Sequence, residues 1–278
     1  MAIYQRALSA SEIQKIYSLG GASKGGATIQ GNYVGSDAGG SAALGNAGSG
    51  ITITGASGNT IGGTTVAARN VISANTGNGV NIASGASANV IQGNFIGTDI
   101  SGTAALGNGA NGVVITSASN NIIGGTPAGA GNIIANSGND GVLVDTGTGN
   151  AIRGNSIFSS TNLGIELINN GNNNQAAPVL ASAVATATTI TIQGTFAGAA
   201  NSSYTLEFFA NSTANPSGFG EGSQLLGSAT VATDASGTAT FTLTFTVMVT
   251  PGQVVSATAT DPARNTSEFA QDVMVAPG

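Results

Sequence analysis

The chain lacks cysteine, histidine and tryptophan altogether, and only 6% of its 278 residues are charged. Each absence closes a class of chemistry. Without thiol or imidazole there is no ordinary zinc site, no Cys/His nucleophile and no Ser/His/Asp triad. Six Lys and Arg against twelve Asp and Glu leave a net charge of −6 and a pI near 4.2, so no basic surface is offered to a phosphate backbone and nucleic acid is not an expected partner. No apolar run reaches about 18 residues, so no membrane span is expected. The opening string MAIYQRALSASEIQKIYSLGG has neither the basic n-region nor the continuous apolar h-region of a signal peptide. Missing cysteine does not fix the compartment, because a large β core needs no disulfide staples.

What is abundant is glycine, at 44 residues, within a chain that is 41% hydrophobic and has a mean hydropathy of +0.22. That balance is too apolar for disorder and too poor in Lys, Glu, Leu and Arg for a helical protein, which leaves repetitive β structure. The string from Thr28, TIQGNYVGSDAGGSAALGNAGSG, returns from Val90 as VIQGNFIGTDISGTAALGNGANG, a shift of 62 residues without a gap. A finer period lies inside it. Glycine followed by a branched apolar residue opens a coil at Gly50, Gly79, Gly112, Gly141 and Gly164, giving coils of 29, 33, 29 and 23 residues. The shortest, residues 141–163, is a bare coil; the others carry extra loops near 64–69, 97–111 and 127–131.

Aligned on those glycines, Ile51/Val80/Val113/Val142/Ile165 and Ile53/Ile82/Ile115/Val144/Leu167 make two inward columns of branched aliphatics, suited to stacked parallel strands. Asn59/Asn89/Asn121/Asn150 make a third column at a turn, where asparagine tolerates a left-handed backbone and stacked carboxamides can hydrogen-bond. A unit this small cannot bury its apolar face alone and must stack on copies of itself. At about 4.8 Å per coil, five and a half coils form a prism about 26 Å tall.

The recurring N-x-I-x-G-N and G-[IV]-x-[IVL] patterns over residues 24–168 resemble the right-handed parallel β-helix repeat family of bacterial surface and carbohydrate-active proteins. Residues 169–177, NNGNNNQAA, read as a linker. Beyond them strict alternation takes over, in Thr189 to Ile192, Tyr204 to Phe208, Phe241 to Phe245 and Val254 to Ala257, with Asp234 to Gly237 as a hairpin turn. About seven strands in about 100 residues predict a β-sandwich over residues 178–278. The strings TDASGTATFTLTF and ATATDPARNTSEFA resemble bacterial immunoglobulin-like modules that follow β-helix repeats in large exported proteins. At the other end, Ser9-Ala10-Ser11-Glu12 has capping-box spacing before Ile13, Ile16 and Tyr17, which predicts a short helix within residues 1–23. The string IYQRALSASEIQKIY resembles the end of a laminin-G/concanavalin-like domain, and a cap over the first coil is the plainer reading. The expected fold is all-β: a right-handed parallel β-helix solenoid, a C-terminal immunoglobulin-like β-sandwich and a short N-terminal helix.

Catalytic groups are scarce. Between residues 24 and 168 stand Lys24, Arg69 and Arg153 with Asp37, Asp99, Asp140, Asp145 and Glu166. The outward column between the buried ones reads Thr52, Asn81, Val114, Leu143, Glu166, with one carboxylate. A glycosidase needs two at about 5 to 10 Å, and the best pairing, Asp145 with Glu166, lies on columns facing opposite ways. No catalytic residue and no cofactor is therefore expected. Calcium is the one metal to weigh, at Asp37 and Asp99 in equivalent G-[ST]-D loops and at Asp234 and Asp261 in the sandwich, against turns in which an Asp binds its own backbone. Val114 and Leu143, pointing outward, together with Arg153 and Glu166, expected as a solvated ion pair, mark an interface on the bare coil for the sandwich or another subunit. The expected function is a non-enzymatic, exported structural or adhesive protein of the cell surface or extracellular space, self-associating into fibres. The alternative is a carbohydrate-binding or polysaccharide-degrading protein, with glycans as partners.

Overall fold

Among the described residues up to 168 no strand is longer than four residues, because left-handed positions recur too often for a longer one. A glycine with φ between +63° and +86° ends or follows the first strand of every coil, at Gly31, Gly62, Gly93, Gly124 and Gly154. The computed structural model describes residues 26–278; the helix and cap expected in residues 1–23 lie outside the described residues. Each coil contributes three strands. The first holds β1 (Thr28–Ile29), β2 (Tyr33–Val34) and β3 (Ile51–Thr54); the second β4 (Thr60–Gly62), β5 (Val71–Ile72) and β6 (Val80–Ala83). The third holds β7 (Val90–Gln92), β8 (Phe95–Ile96) and β9 (Val113–Thr116), and the fourth β10 (Ile122–Gly124), β11 (Ile133–Ala135) and β12 (Val142–Asp145). The fifth holds β13 (Ala151–Arg153), β14 (Ser156–Phe158) and β15 (Ile165–Ile168). Like strands pair in parallel into three five-stranded sheets, the architecture of a parallel β-helix.

The register reproduces the columns expected from the sequence: Ile51, Val80, Val113, Val142 and Ile165 are successive partners, as are Thr52, Asn81, Val114, Leu143 and Glu166. Two further isoleucine-rich columns, Ile61/Ile91/Ile123/Ile152 and Ile72/Ile96/Ile134/Ile157, fill the interior with the first. Each such side chain contributes about 1.5–3 kcal/mol by leaving water.

The corners are closed by asparagine. Besides the expected column, which runs on to Asn172, a second climbs through Asn32, Asn70, Asn94, Asn132 and Asn155. Asn132 shows why no other residue serves. Its Oδ1 accepts the Asn94 backbone N–H (3.0 Å) and Nδ2–H (3.0 Å), while its own Nδ2 donates to Asn155 Oδ1 (2.8 Å) and the Ile91 carbonyl (2.8 Å). All four hydrogen-bonding sites of the carboxamide are filled. The left-handed residue is the one before the Asn, at Gly58 (72°), Ala88 (53°), Asn120 (60°) and Gly149 (69°), rather than at Asn59, Asn89, Asn121 and Asn150. A third column, Asn46/Asn75/Asn108, and a fourth, Asn78/Asn111/Asp140, mark the remaining corner loop.

Loops alternate for a spatial reason. The Ile100 N–H of one loop reaches the Gly40 carbonyl of the equivalent loop two coils earlier (2.9 Å), so each loop fills the height of two coils, about 10 Å. A loop on every coil would collide with its neighbour, which gives the 62-residue double repeat its physical basis.

Residues 169–177, expected as a linker, contain a turn, residues 171–174, in which Asn172 is fully buried and Asn170, Asn172 and Asn173 are left-handed. Beyond it lie β16 (Val179–Ala185), β17 (Ile190–Ala197), β18 (Ser203–Asn211), β19 (Gln224–Ala232), β20 (Thr238–Phe245), β21 (Val254–Thr260) and β22 (Val273–Pro277). They form one mixed, nearly closed sheet in the order β19-β18-β21-β22-β16-β17-β20. Its core holds Phe208 against Phe241 (centroids 5.7 Å) and Phe245 (5.4 Å). The Asp234 to Gly237 turn forms, yet it joins no hairpin: β19 and β20 stand at opposite ends of the sheet order. β18 and β21 are buried on both faces. Leu206, Phe208 and Ala210 enter the sheet's own core, and Phe209 enters the core of the coiled stack.

Replacing Asn132 by Ala strands the Asn94 N–H and a carboxamide on each side, at a cost of about 2–4 kcal/mol. Asn32→Ala, at the exposed first coil, is expected to cost under about 1 kcal/mol. Urea unfolding of the two variants checks the contrast, and equal losses would remove the ladder as the cause.

Candidate functional site

The last coil of a β-helix presents unpaired main-chain groups, and here the C-terminal sheet answers them. Against β13, Asn265 Oδ1 accepts Gly149 N–H (2.6 Å), Thr266 Oγ1 accepts Ile152 N–H (3.0 Å) and Glu207 Oε2 accepts Gly154 N–H (3.0 Å). Against β14, Ile157 and Gly222 exchange both main-chain bonds (2.8 and 2.7 Å), while the two oxygens of Glu221 take the N–H groups of Ser159 (2.9 Å) and Ser160 (2.8 Å). Against β15, Glu268 Oε1 accepts Leu167 N–H (2.9 Å). Inside this ring, Phe209 and Phe269 meet edge to face at 5.4 Å and plug the stack.

Arg153 belongs to this seam. Its guanidinium pairs with Glu207 (Nη2 to Oε1, 3.2 Å; Nε to Oε1, 3.3 Å) and not with Glu166, so the expected solvated pair is corrected to a contact on a carboxylate that is 2% exposed. Burial raises the Glu207 carboxyl above its ordinary range, and the Gly154 N–H and Arg153 pull it back only in part. Val114 is in the outward column as expected, but is 7% exposed between Asn81 and Leu143. Leu143 is half-buried. Glu166 faces Asp140 and Glu268 rather than Asp145; burial first, then the Asp140 carboxylate, raises its carboxyl.

The four calcium candidates are all turn residues. Asp37 Oδ1 accepts Ser41 and Ala42 N–H, Asp99 Oδ1 accepts Ser101 and Ala104 N–H, Asp234 Oδ1 accepts Ser236 and Thr238 N–H, and Asp261 Oδ1 accepts Asn265 N–H. These bonds favour the ionised form: hydrogen bonds lower Asp37, chiefly from Ala42, and Asp99, chiefly from the Ser101 side chain, and Ser236 leads in bringing Asp234 to about 2. Among the described residues no group of three or more acidic, His or Cys side chains is placed to hold a metal ion.

Where the turn at 174–178 passes the C-terminal sheet, a cleft of about 530 Å³ opens. Glu268 and Asp272 lie in its wall with Gln175 and Gln271, and Phe219 (50% exposed) and Val179 (66%) form its apolar rim. Both carboxylate oxygens of Asp272 are shielded from water; the Asn215 N–H approaches them without completing a hydrogen bond. Burial, with a further push from Glu221, raises this carboxyl to about 6. Behind the wall the buried Ser256 hydroxyl donates to the Ala270 carbonyl (2.7 Å). Among the described residues that line the cleft are carboxylates and amides, and no serine, threonine or tyrosine.

Sequence reasoning missed Glu207, Glu221, Phe209 and Phe269. The signal was present in YTLEFF, where an acid interrupts a strand otherwise apolar on both faces, and in NTSEFA, whose Asn265, Thr266, Glu268 and Phe269 all reach the last coil.

Fold and seam define a class: an all-β chain in which a parallel coiled stack is sealed by a mixed, nearly closed sheet. No protein-family model matches the chain, and no curated protein matches it either. Among the described residues no helix is long and apolar enough to cross a membrane.

Asp272 sets a pH dependence. Its folded value lies above the unfolded one, so its contribution to stability is complete below about pH 4 and is lost as pH rises through about 6. Asp272→Asn is expected to match the wild type at pH 4 and to exceed it by about 1 kcal/mol at pH 7.5, a figure discounted for the group's partial exposure. Denaturant midpoints at the two pH values check it; a variant weaker at pH 7.5 refutes it. Separately, Phe269→Ala should cost about 3–5 kcal/mol and expose the last coil to protease, read by limited proteolysis.

Proposed function

We propose that the chain is a non-catalytic structural or adhesive segment of an exported surface protein, a rigid right-handed β-helix joined to an immunoglobulin-like sandwich. One observation carries the reading. Of the eleven described acidic residues, eight accept main-chain N–H groups: Asp37, Asp99, Asp234 and Asp261 in turns, and Asp140, Glu207, Glu221 and Glu268 at coil edges. Groups that would do chemistry in an enzyme hold the backbone here. The sandwich reading is supported by Phe208 of β18 packing on Phe241 and Phe245 of β20, strands that face each other without pairing. Self-association into fibres is the specific form we favour, because few surface charges oppose contact between copies.

A glycan-binding reading draws on the cleft, where Phe219 stands beside Gln175 and Gln271. Two measurements separate the readings. Sedimentation and negative-stain images should show assemblies that lengthen with concentration, and a panel of polysaccharides should release neither reducing ends nor unsaturated products. Turnover on any polysaccharide would overturn the non-catalytic reading; binding without turnover would favour the glycan module.

A further inference from the structure

Charge is unevenly divided along the chain. Arg6, Lys15 and Lys24 are half of all its basic residues, and with the single acid Glu12 they give residues 1–25 a charge of +2, against −8 for the remaining 253 residues. The three cations of the described residues are already engaged: Arg69 lies over the Phe95 ring at 4.0 Å, Arg153 on Glu207, and Arg264 on Asn120. At the far end of the stack the cleft combines an apolar rim, Phe219 and Val179, with Glu268 and Asp272 in its wall. The sequence of the basic segment places Ile13, Ile16 and Tyr17 at i, i+3 and i+4 with Lys15 among them, the spacing by which an amphipathic segment fills an apolar groove.

We propose that the cleft of one copy receives residues 1–25 of the next, joining copies head to tail. The inference rests on the self-association reading and gives it a mechanism. A basic, apolar segment meets an apolar-rimmed cleft on a body that carries a charge of −8, so net charge favours the encounter and burial of the isoleucines holds it. The segment and the cleft are different parts of the chain, so the contact is heterologous and need not close, which is the condition for a fibre. Residue 26 enters the first coil and the cleft stands at the fifth, about 19 Å along the stack; docking in the next copy needs no return over that distance.

Two full-length variants test it. The segment variant carries Arg6→Glu, Lys15→Glu and Lys24→Glu; the cleft variant carries Val179→Lys and Phe219→Lys, both at exposed rim positions outside the seam. Sedimentation up to about 100 μM, where a micromolar contact is saturated, should show wild-type oligomers that shorten in high salt. Each variant alone should associate at least about tenfold more weakly, and an equimolar mixture should stop at a 1:1 dimer, because it offers one sound segment and one sound cleft. If the wild type assembles and the cleft variant assembles equally well, the cleft is refuted while self-association stands. A wild type that stays monomeric refutes both. Cross-links from the segment to the cleft within a single monomer would refute docking between copies.

Discussion

A dry stack of parallel coils can exist only if the main-chain groups at its corners find partners there, and in this chain the asparagine carboxamide supplies them. Each coil turns three times with strands of two to four residues, so a large share of the backbone sits at corners where sheet bonds do not reach. One carboxamide accepts two N–H groups and donates two, as Asn132 does, and so closes its own corner and the corner of the adjacent coil together. Asp has no donor and Ser reaches too little. The third column shows this: where Asn46, Asn75 and Asn108 give way to Ser137 and Ser160, the buried hydroxyl oxygens lack hydrogen-bond partners. The aliphatic columns contribute the larger free energy, but they would accept other packings; the ladders fix the register.

The ladders also have a direction. In the two long columns each asparagine main-chain N–H points toward the Oδ1 of the following coil, so the last coil presents main-chain donors that need acceptors from outside the stack. That polarity explains the chemistry of the seam. Carboxylates accept and never donate when ionised, and Glu207, Glu221 and Glu268 meet the three strand edges with Asn265 and Thr266 beside them. The main-chain pairing across the seam, Ile157 with Gly222, is an antiparallel exchange that ends the sheet rather than extending it. Residues 169–177 are drawn into the same task, because Asn172 completes the first ladder and donates to the Thr266 carbonyl (3.0 Å).

Much of this was legible in the sequence, for a physical reason. Columns of identical residues at a fixed shift report stacking directly, so five coils, the parallel sheets and the Asn59 column could be read without coordinates. The second ladder was legible in part: Asn94 and Asn155 are the final Asn of N-x-I-x-G-N, Asn32 ends the same I-x-G-N, and Asn70 and Asn132 lie 62 residues apart, each behind an inserted loop that hides the motif. The partner of Arg153 was not legible. Glu207 is 2% exposed in a strand whose alternation is masked because both faces are buried, and only the docked arrangement shows which face meets the coils. The turn at Asp234 misled for a similar reason, since a tight turn fixes local chain direction and not whether the strands it joins stay together.

The seal on the last coil narrows how copies of this chain can meet. An open β-helix end invites another strand to continue its sheets, but here every sheet edge at that end has an acceptor or an antiparallel partner already in place. Coil-on-coil extension through that end would have to displace three buried or half-buried carboxylates and the Phe209–Phe269 plug. Association therefore favours side-chain docking beside the seam over continuation of the stack. The two acids left without a backbone partner or an amide, Glu166 and Asp272, lie against Asp140 and Glu221 on the flanks of that seam, and both are held above their ordinary range by burial first.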